Sequence, residues 1–357
     1  MSIIEVLPEV NEVLRKFELP KEVGFGKIMA PIMIEADYAD GKWGPLQLKA
    51  YGPITLDPTA KVLHYAQEIF EGLKAYKTDG NGPFLFRPDE NAKRFNASAR
   101  RMAMPDLPIE YFVEGSKTIT SYCSEFIPPN SGETLYIRPF MFATEGSLGI
   151  KPSEKFKFLI IASPSGDYFK SGSVTVGIER DAVRATPGGV GMAKTGGNYA
   201  ASLLSANQAI AKNCQQILWL DAVNHSRIEE MSGMNFFAVI DGKLVTPELT
   251  ETILAGITRK SILEIAQSEG FEVIEKELLI EEVIEGIKSG KCTEAFACGT
   301  AAIITPINAL QESDDTQYKL QNPEGPVAAK LRKTLLDIQE GRKEGPEGWV
   351  VKINPPV

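Results

Sequence analysis

The chain is 357 residues long, 43% hydrophobic and 24% charged, which is the composition of a soluble globular protein with length enough for two cores. Its formal net charge is -9 with no block of Lys or Arg, so neither nucleic acid nor an anionic membrane surface is an expected partner. Only two His and four scattered Cys are present, without CxxC or zinc spacing, so no metal site is expected and the thiols read as reduced and cytosolic.

The opening "MSIIEVLPEVNEVL" carries acids and no basic n-region, so it does not read as a secretory signal, and a cytoplasmic location is expected. No stretch reaches the apolar length of a membrane span. Further along, "FLFR" (84–87) and "TLYIRPFMFA" (134–143) read as strands, with a helix over "ENAKRFNASARRMA" (90–103) between them. The apolar strand "FKFLIIA" (156–162) is followed by the Gly/Ser-rich "SPSGDYFKSGS" (163–173), which marks a domain boundary. Beyond it "SVTVGIE", "QQILWLD" and "NFFAVIDGKLVTP" read as strands, the last with an Asp241-Gly242 hairpin turn. Helices are expected at 198–213, 259–268, 280–288 and 326–340. The class is α+β, strands and helices being interspersed in both halves.

The segment "GGVGMAKTGG" (188–197) raises the central question, because it sets Lys194-Thr195 among glycines. One reading is a nucleotide-binding loop over 188–195, with Asp221 at the end of "QQILWLD" holding magnesium. Against it, Ala193 replaces the second glycine, "RDAVRATPGG" ahead of the loop is proline-broken, and Gly196-Gly197 follow where a helix should begin. A helix capped by Asn198 leaves Lys194 on irregular backbone, where it could do chemistry itself.

Three stretches could receive a phosphate, each with a plainer reading beside it. Gly256-Ile257-Thr258 opens a helix and is either an anion site or an ordinary cap. Gly299-Thr300 is a turn with a hydroxyl, and Arg94 is one of several helix cations. Glu230, just before a small-residue stretch and an apolar strand, is either a surface acid or a buried carboxylate in need of a cation.

Taken in order, these stretches resemble the class IV family of pyridoxal-phosphate aminotransferases, of fold type IV. The signature is "EMSGMNFF" (230–237), then Thr246, then "GITR" (256–259). Within the family the chain is similar to branched-chain amino acid aminotransferases, through "LHYAQEIFEGLKAYK" (63–77), "FRPDENAKRF" (86–95), "LYIRPFMFATEGSLGI" (135–150), "GGVGMAKTGGNY" (188–199) and "FACGTAAIITPI" (296–307). The resemblance implies a smaller N-terminal α/β domain over 1–165, an interdomain loop over 166–182 and a larger pseudo-barrel domain over 183–357 that binds pyridoxal 5'-phosphate. It implies reversible transamination of leucine, isoleucine and valine with 2-oxoglutarate through a Schiff base on Lys194. A D-amino acid aminotransferase and an aminodeoxychorismate lyase are the nearest rivals within the fold.

By the same resemblance, Arg94, Ile257, Thr258 and Thr300 bind the cofactor phosphate, Tyr199 its ring oxygen and Glu230 its ring nitrogen. Free lysine, with a pKa of about 10.4, is protonated at neutral pH, and imine formation removes that obstacle. Lys194 then moves the substrate proton as base and acid. Tyr65, Phe70, Tyr136, Arg138 and Tyr168 form the substrate pocket, where aromatic walls take the branched side chain and Arg138 the distal carboxylate of glutamate. Tyr136 with the backbone at Thr300 and Ala301 holds the α-carboxylate. Tyr65 comes from the other subunit, so a homodimer is implied. Gly233 stands where some relatives have Thr, and Ala302 and Thr305 stand where mammalian relatives carry a redox CxxC.

Overall fold

The computed structural model describes residues 3–78, 81–166 and 172–356. Its contacts divide the chain into two units, Met1–Tyr168 with Ala193–Gly196 and Asp337–Val357, and Phe169–Met192 with Gly197–Leu336. The C-terminal stretch therefore returns to the first unit, which holds more of the chain than a cut after residue 165 assigns to it. Within the span expected as an interdomain loop, Val174–Glu179 is a strand of the second sheet.

The first unit is built on one sheet with Thr134–Ala143 at its centre, paired antiparallel to Phe156–Ser165 on one side and Leu73–Thr78 on the other. The strand is where the alternating sequence puts it. Leu135, Ile137 and Met141 are buried, while Tyr136, Arg138 and Phe140 are half-buried on the opposite face, as a period of two requires. The neighbouring strand extends past the expected end at 162, because Ser163 and Ser165 pair with Tyr136 and Thr134. The expected helix is Pro88–Arg101, with Pro in its first turn, Asp89 and Glu90 at the positive end and Arg100 and Arg101 at the negative end. Its buried Phe95 meets Phe112 and Phe158 at ring-centroid distances of 5.5 and 5.7 Å. Phe112 belongs to a second helix, Ile109–Tyr122, which lies so close to the sheet that a Cβ on Gly115 would come within 2.6 Å of Ile160.

The second unit is a mixed sheet. Val174–Glu179 runs parallel to both Gln216–Leu220 and Ile303–Gln311, and Cys292–Gly299 and Asn235–Ile240 continue the order antiparallel. Asp241 and Gly242 both have positive φ, 48° and 76°, so the hairpin to Lys243–Pro247 closes on the turn that the Asp-Gly pair specifies. The two edges of the sheet approach each other. Ile228 N–H donates to Leu278 O and Ile280 N–H to Ser226 O, both at 2.8 Å, which curls the sheet into a half-barrel.

Two expectations are corrected here. The helix expected over 198–213 is two pieces, Gly196–Ala200 and Leu203–Ala211, and Asn198 does not cap it: its side chain donates to Val190 O at 2.9 Å. Asp221 is no magnesium ligand in waiting. Its carboxylate accepts the backbone N–H groups of Val223, Asn224, Ser226 and Arg227 at 2.8 to 3.1 Å, and closes its own turn. Partial burial raises its pKa, but those four donors outweigh that and pull it down to about 2. The four cysteines are free and buried. Burial pushes the Cys292 thiol up to about 12, which leaves it inert at neutral pH.

Candidate active site

In the first unit the Lys194 segment is strapped by main-chain bonds on both sides. Lys194 N–H donates to Ser98 Oγ at 2.9 Å, and Lys194 O accepts from Phe70 N at 3.0 Å. Thr195 Oγ1 donates to Glu68 O at 2.8 Å, and Gly196 N–H to the Glu68 carboxylate. That carboxylate takes the helix-capping role expected of Asn198, and a Cβ at 196 would lie 2.4 Å from Glu68 Oε1 and displace it. No strand leads directly into the glycines, so the backbone is not that of a nucleotide loop.

Beside the strap lies Glu71, with a fully buried side chain. Its two oxygens accept from Arg94 Nε (2.7 Å) and Nη2 (2.8 Å), from Asn91 Nδ2 (2.8 Å) and from Gly72 N (3.2 Å). Burial raises the pKa of this carboxyl, yet Arg94 first, then the Lys194 ammonium and Asn91, outweigh it and hold Glu71 below the ordinary glutamate range. One carboxylate thus serves two cations. Asn91, Arg94 and Ser98 fall at i, i+3 and i+7 of one helix, a polar stripe on an otherwise core-facing surface.

Phe70 carries two cations on its ring. Arg138 Cζ lies 4.7 Å from the ring centroid and Lys194 Nζ 4.9 Å. Arg138 Nη2 also donates to Tyr136 Oη at 3.1 Å, while its buried Nε has no hydrogen-bond partner. The Tyr136 hydroxyl has room only because residue 72 is Gly, whose Cβ would come within 2.1 Å of it. Tyr65 is 40% exposed and its hydroxyl donates to Leu148 O. Tyr168 lies outside the described residues.

In the second unit the signature residues form a clamp. Glu230 is buried on Ile228–Met231; its Oε2 accepts from Leu254 N at 2.8 Å, and Leu254 O accepts from Asn235 Nδ2 at 3.0 Å. Two residues on, Gly256 starts the helix Ile257–Ser268, whose N-terminus has no side-chain cap. Ile257 and Thr258 therefore open a helix with backbone N–H groups suited to an anion. Thr246 Oγ1 bonds Phe236 O at 2.7 Å, and Arg259 Nη2 bonds Pro247 O at 2.8 Å, fixing the remainder of the segment. Thr300 and Ala301 sit in the turn between Cys292–Gly299 and Ile303–Gln311. That turn lies on the Gly233–Met234 turn, where a Cβ on Gly299 would be 3.3 Å from Gly233 O, and Tyr199 lies 3.5 Å from a Cβ position on Gly233. Gly233 has φ of 78°, so the Thr of some relatives would be strained there. The segments that carry Tyr199, Glu230, Thr258 and Thr300 thus meet, and Glu230 has a cation of its own in buried Arg184, 3.2 Å away.

A Gly256→Ala protein is expected to bind a phosphate-bearing cofactor at least tenfold more weakly and to lose about 1 to 3 kcal/mol of stability. The added Cβ would stand 2.0 Å from Asn235 Oδ1 and push the helix start off its clamp. Titrating the apoprotein with cofactor, alongside denaturant melts, checks both.

Sequence reasoning passed over Glu68, Glu71, Ser98 and Arg184. The one available signal was "QEIFEG", which sets two carboxylates about an apolar pair.

The family described as amino-transferase class IV matches residues 68–310. A branched-chain-amino-acid aminotransferase of Mycolicibacterium smegmatis is 46% identical over 339 residues, 93% of this chain and 92% of its own. Among solved structures, a T.th. branched-chain amino acid aminotransferase complexed with N-(5'-phosphopyridoxyl)-L-glutamate superposes with a TM-score of 0.75 at 28% identity, over 92% of this chain and 100% of its own. The branched-chain amino acid aminotransferase from Escherichia coli gives 0.72 at 27% identity, over 90% and 99%.

Proposed function

The chain belongs to the class IV aminotransferase family, and from that premise we propose a pyridoxal-phosphate enzyme that reversibly transaminates leucine, isoleucine and valine with 2-oxoglutarate, yielding branched-chain 2-oxo acids and glutamate. The observation that carries the substrate assignment is Arg138 mounted on the Phe70 ring with an unpartnered, buried Nε. An apolar wall and an anion-binding group are then available in one place, which is what a pocket needs to take leucine and glutamate in turn.

The residues fit the cofactor. The helix start at Ile257 and Thr258, without a side-chain cap, suits a phosphate, and by the resemblance Arg94 and the Thr300 hydroxyl would be further donors for it. Glu230 would accept from the ring nitrogen, Tyr199 would donate to the ring oxygen and Lys194 would anchor the group covalently. When bound, pyridoxal phosphate supplies the electron sink that lets an amino acid lose its Cα proton. Lys194 takes that proton on its amine and returns it, and the straps on both sides of residue 194 fix the backbone from which the amine reaches. By the family resemblance Tyr136 and the backbone of Thr300 and Ala301 would orient the α-carboxylate, and a substrate-binding role is proposed for Tyr168 on that resemblance alone.

Tyr65 would serve the partner subunit of a homodimer. It lies among exposed Leu63 (59%), Leu148 (59%) and Ile150 (91%), apolar surface suited to burial against a second copy. No helix among the described residues is long and apolar enough to cross a membrane, and a cytoplasmic location is consistent with the free, buried thiols.

The test is a pair of half-reactions. L-leucine should convert the bound cofactor and 2-oxoglutarate should restore it. Arg138→Met is expected to raise the KM for 2-oxoglutarate at least tenfold while leaving that for leucine within a few-fold. Turnover of D-alanine in place of L-leucine, or equal damage to both substrates in the variant, would defeat the assignment.

A further inference from the structure

We propose that Arg184 is a positioning residue that grips Glu230 and offsets its charge, and so limits how strongly Glu230 holds a proton on the bound cofactor. The inference rests on the reading of Glu230 as partner of the ring nitrogen.

Arg184 lies in "RDAVRATPGG", a polar stretch broken by proline, yet it is only 8% exposed. Such a group must be paired to be buried. Its Nε faces Glu230 Oε1 at 3.2 Å, at ion-pair distance without hydrogen-bond alignment. Its Nη2 donates to Gly191 O at 3.1 Å and to Thr252 O. Those two backbones are in contact, since a Cβ on Gly191 would stand 2.7 Å from Thr252 Cα. One guanidinium therefore pins the segment leading toward Lys194, the segment leading toward the Gly256 helix start, and the carboxylate between them in the clamp.

Glu230 is thus held on both oxygens, one by the Leu254 amide and one by a full positive charge. The other charged groups of this neighbourhood do not replace Arg184. Glu229, the preceding strand residue, is held above the ordinary glutamate range by burial and by the charges of Glu230 and Asp221, against Thr252 and Arg184, and as an acid it supplies no positive charge. Asp221 spends its charge on four backbone N–H groups. Arg184 sets a cation 3.2 Å from Glu230, and an adjacent cation weakens the attraction of a carboxylate for a proton held on its far side.

The test uses holoenzyme and reads the pH midpoint of the bound cofactor's visible absorption, with the melting temperature of the apoprotein as a control for folding. Arg184→Gln removes the charge and is expected to move the midpoint up by about one pH unit, tenfold in proton affinity. Arg184→Lys keeps the charge and should leave the midpoint within about 0.3 units, although it loses the twin carbonyl bonds and some thermal stability. A midpoint unmoved in a folded, loaded Gln variant, or moved as far by Lys as by Gln, overturns the proposal and leaves Arg184 a structural buttress. Should the Gln variant not fold, Arg184→Met removes the same charge and is read in its place, a rise of about one pH unit upholding the idea and an unmoved midpoint refuting it. Wild-type protein with no visible cofactor band would instead refute the assignment of Glu230 and of the cofactor.

Discussion

Replacing Lys194 by Ala is expected to lower turnover of L-leucine with 2-oxoglutarate by at least about 10⁴-fold, because the base and acid of the proton transfer is removed together with the anchor of the cofactor. The fold should survive. Both bonds that strap residue 194 use its backbone, N–H to Ser98 Oγ and C=O from Phe70 N–H, and Ala retains both groups. Loss of the side chain also lifts one cation from the Phe70 ring and one from the neighbourhood of Glu71, so a modest change in stability is expected, not unfolding. Three measurements separate the outcomes. Steady-state kinetics should show the loss, borohydride should no longer fix the cofactor to the chain, and an added small amine should recover part of the rate. A Lys194→Ala enzyme with near-normal kcat would remove this residue from the chemistry.

The second large effect is expected at Glu71. Deleting one partner of a buried, hydrogen-bonded ion pair strands the other, at a cost of roughly 3 to 5 kcal/mol. Glu71→Ala would take two charge-assisted bonds from Arg94 and one from Asn91. Because Arg94 would receive the cofactor phosphate, cofactor affinity should fall with stability. The acid dependence follows from the direction of the shift. The folded-state pKa of Glu71 lies below the unfolded glutamate value of about 4.3, so its contribution is fully present above that value and is lost as pH falls through the lower folded value. Denaturant midpoints measured from neutral pH into the acid range should therefore converge for wild type and Glu71→Gln as the pH drops, and diverge as it rises. A constant gap across that range would show that Glu71 is not a charged member of the pair.

A fair part of this molecule could be read from its local sequence. Thr134–Ala143 follows from strict alternation, and the Asp241-Gly242 hairpin from a residue pair that tolerates positive φ twice. Pro88–Arg101 follows from its end charges and apolar stripe. The glycine-flanked Lys194, the carboxylate at 230 and the small residues at 256 to 258 stood out as chemistry-bearing groups before any of them had a partner. The first strands did not stand out. Ile4–Val6 is too short to show a period, and Ile32–Ala39 mixes Glu35 and Asp37 into a strand whose pairing on both sides decides its state.

Partners were the unreadable part, and the reason is physical. Periodicity reports which face of an element is buried, but a charge says nothing of which distant charge will meet it. Glu71 finds Arg94 across 23 positions, and Phe70 finds the backbone of Lys194 across many more, because a sheet and a helix happen to converge there. The expected N-cap at Asn198 failed for the same reason, since a carboxylate from a remote strand, Glu68, does the capping. By itself the amino-acid order determined which residues carry chemistry and where the regular elements run, since both depend on neighbours a few positions away. The tertiary structure alone decided the ion pairs of Glu71 and Glu230, the return of residues 337–357 to the first unit, and the clamp on Gly256, because each depends on long-range packing that local patterns do not encode.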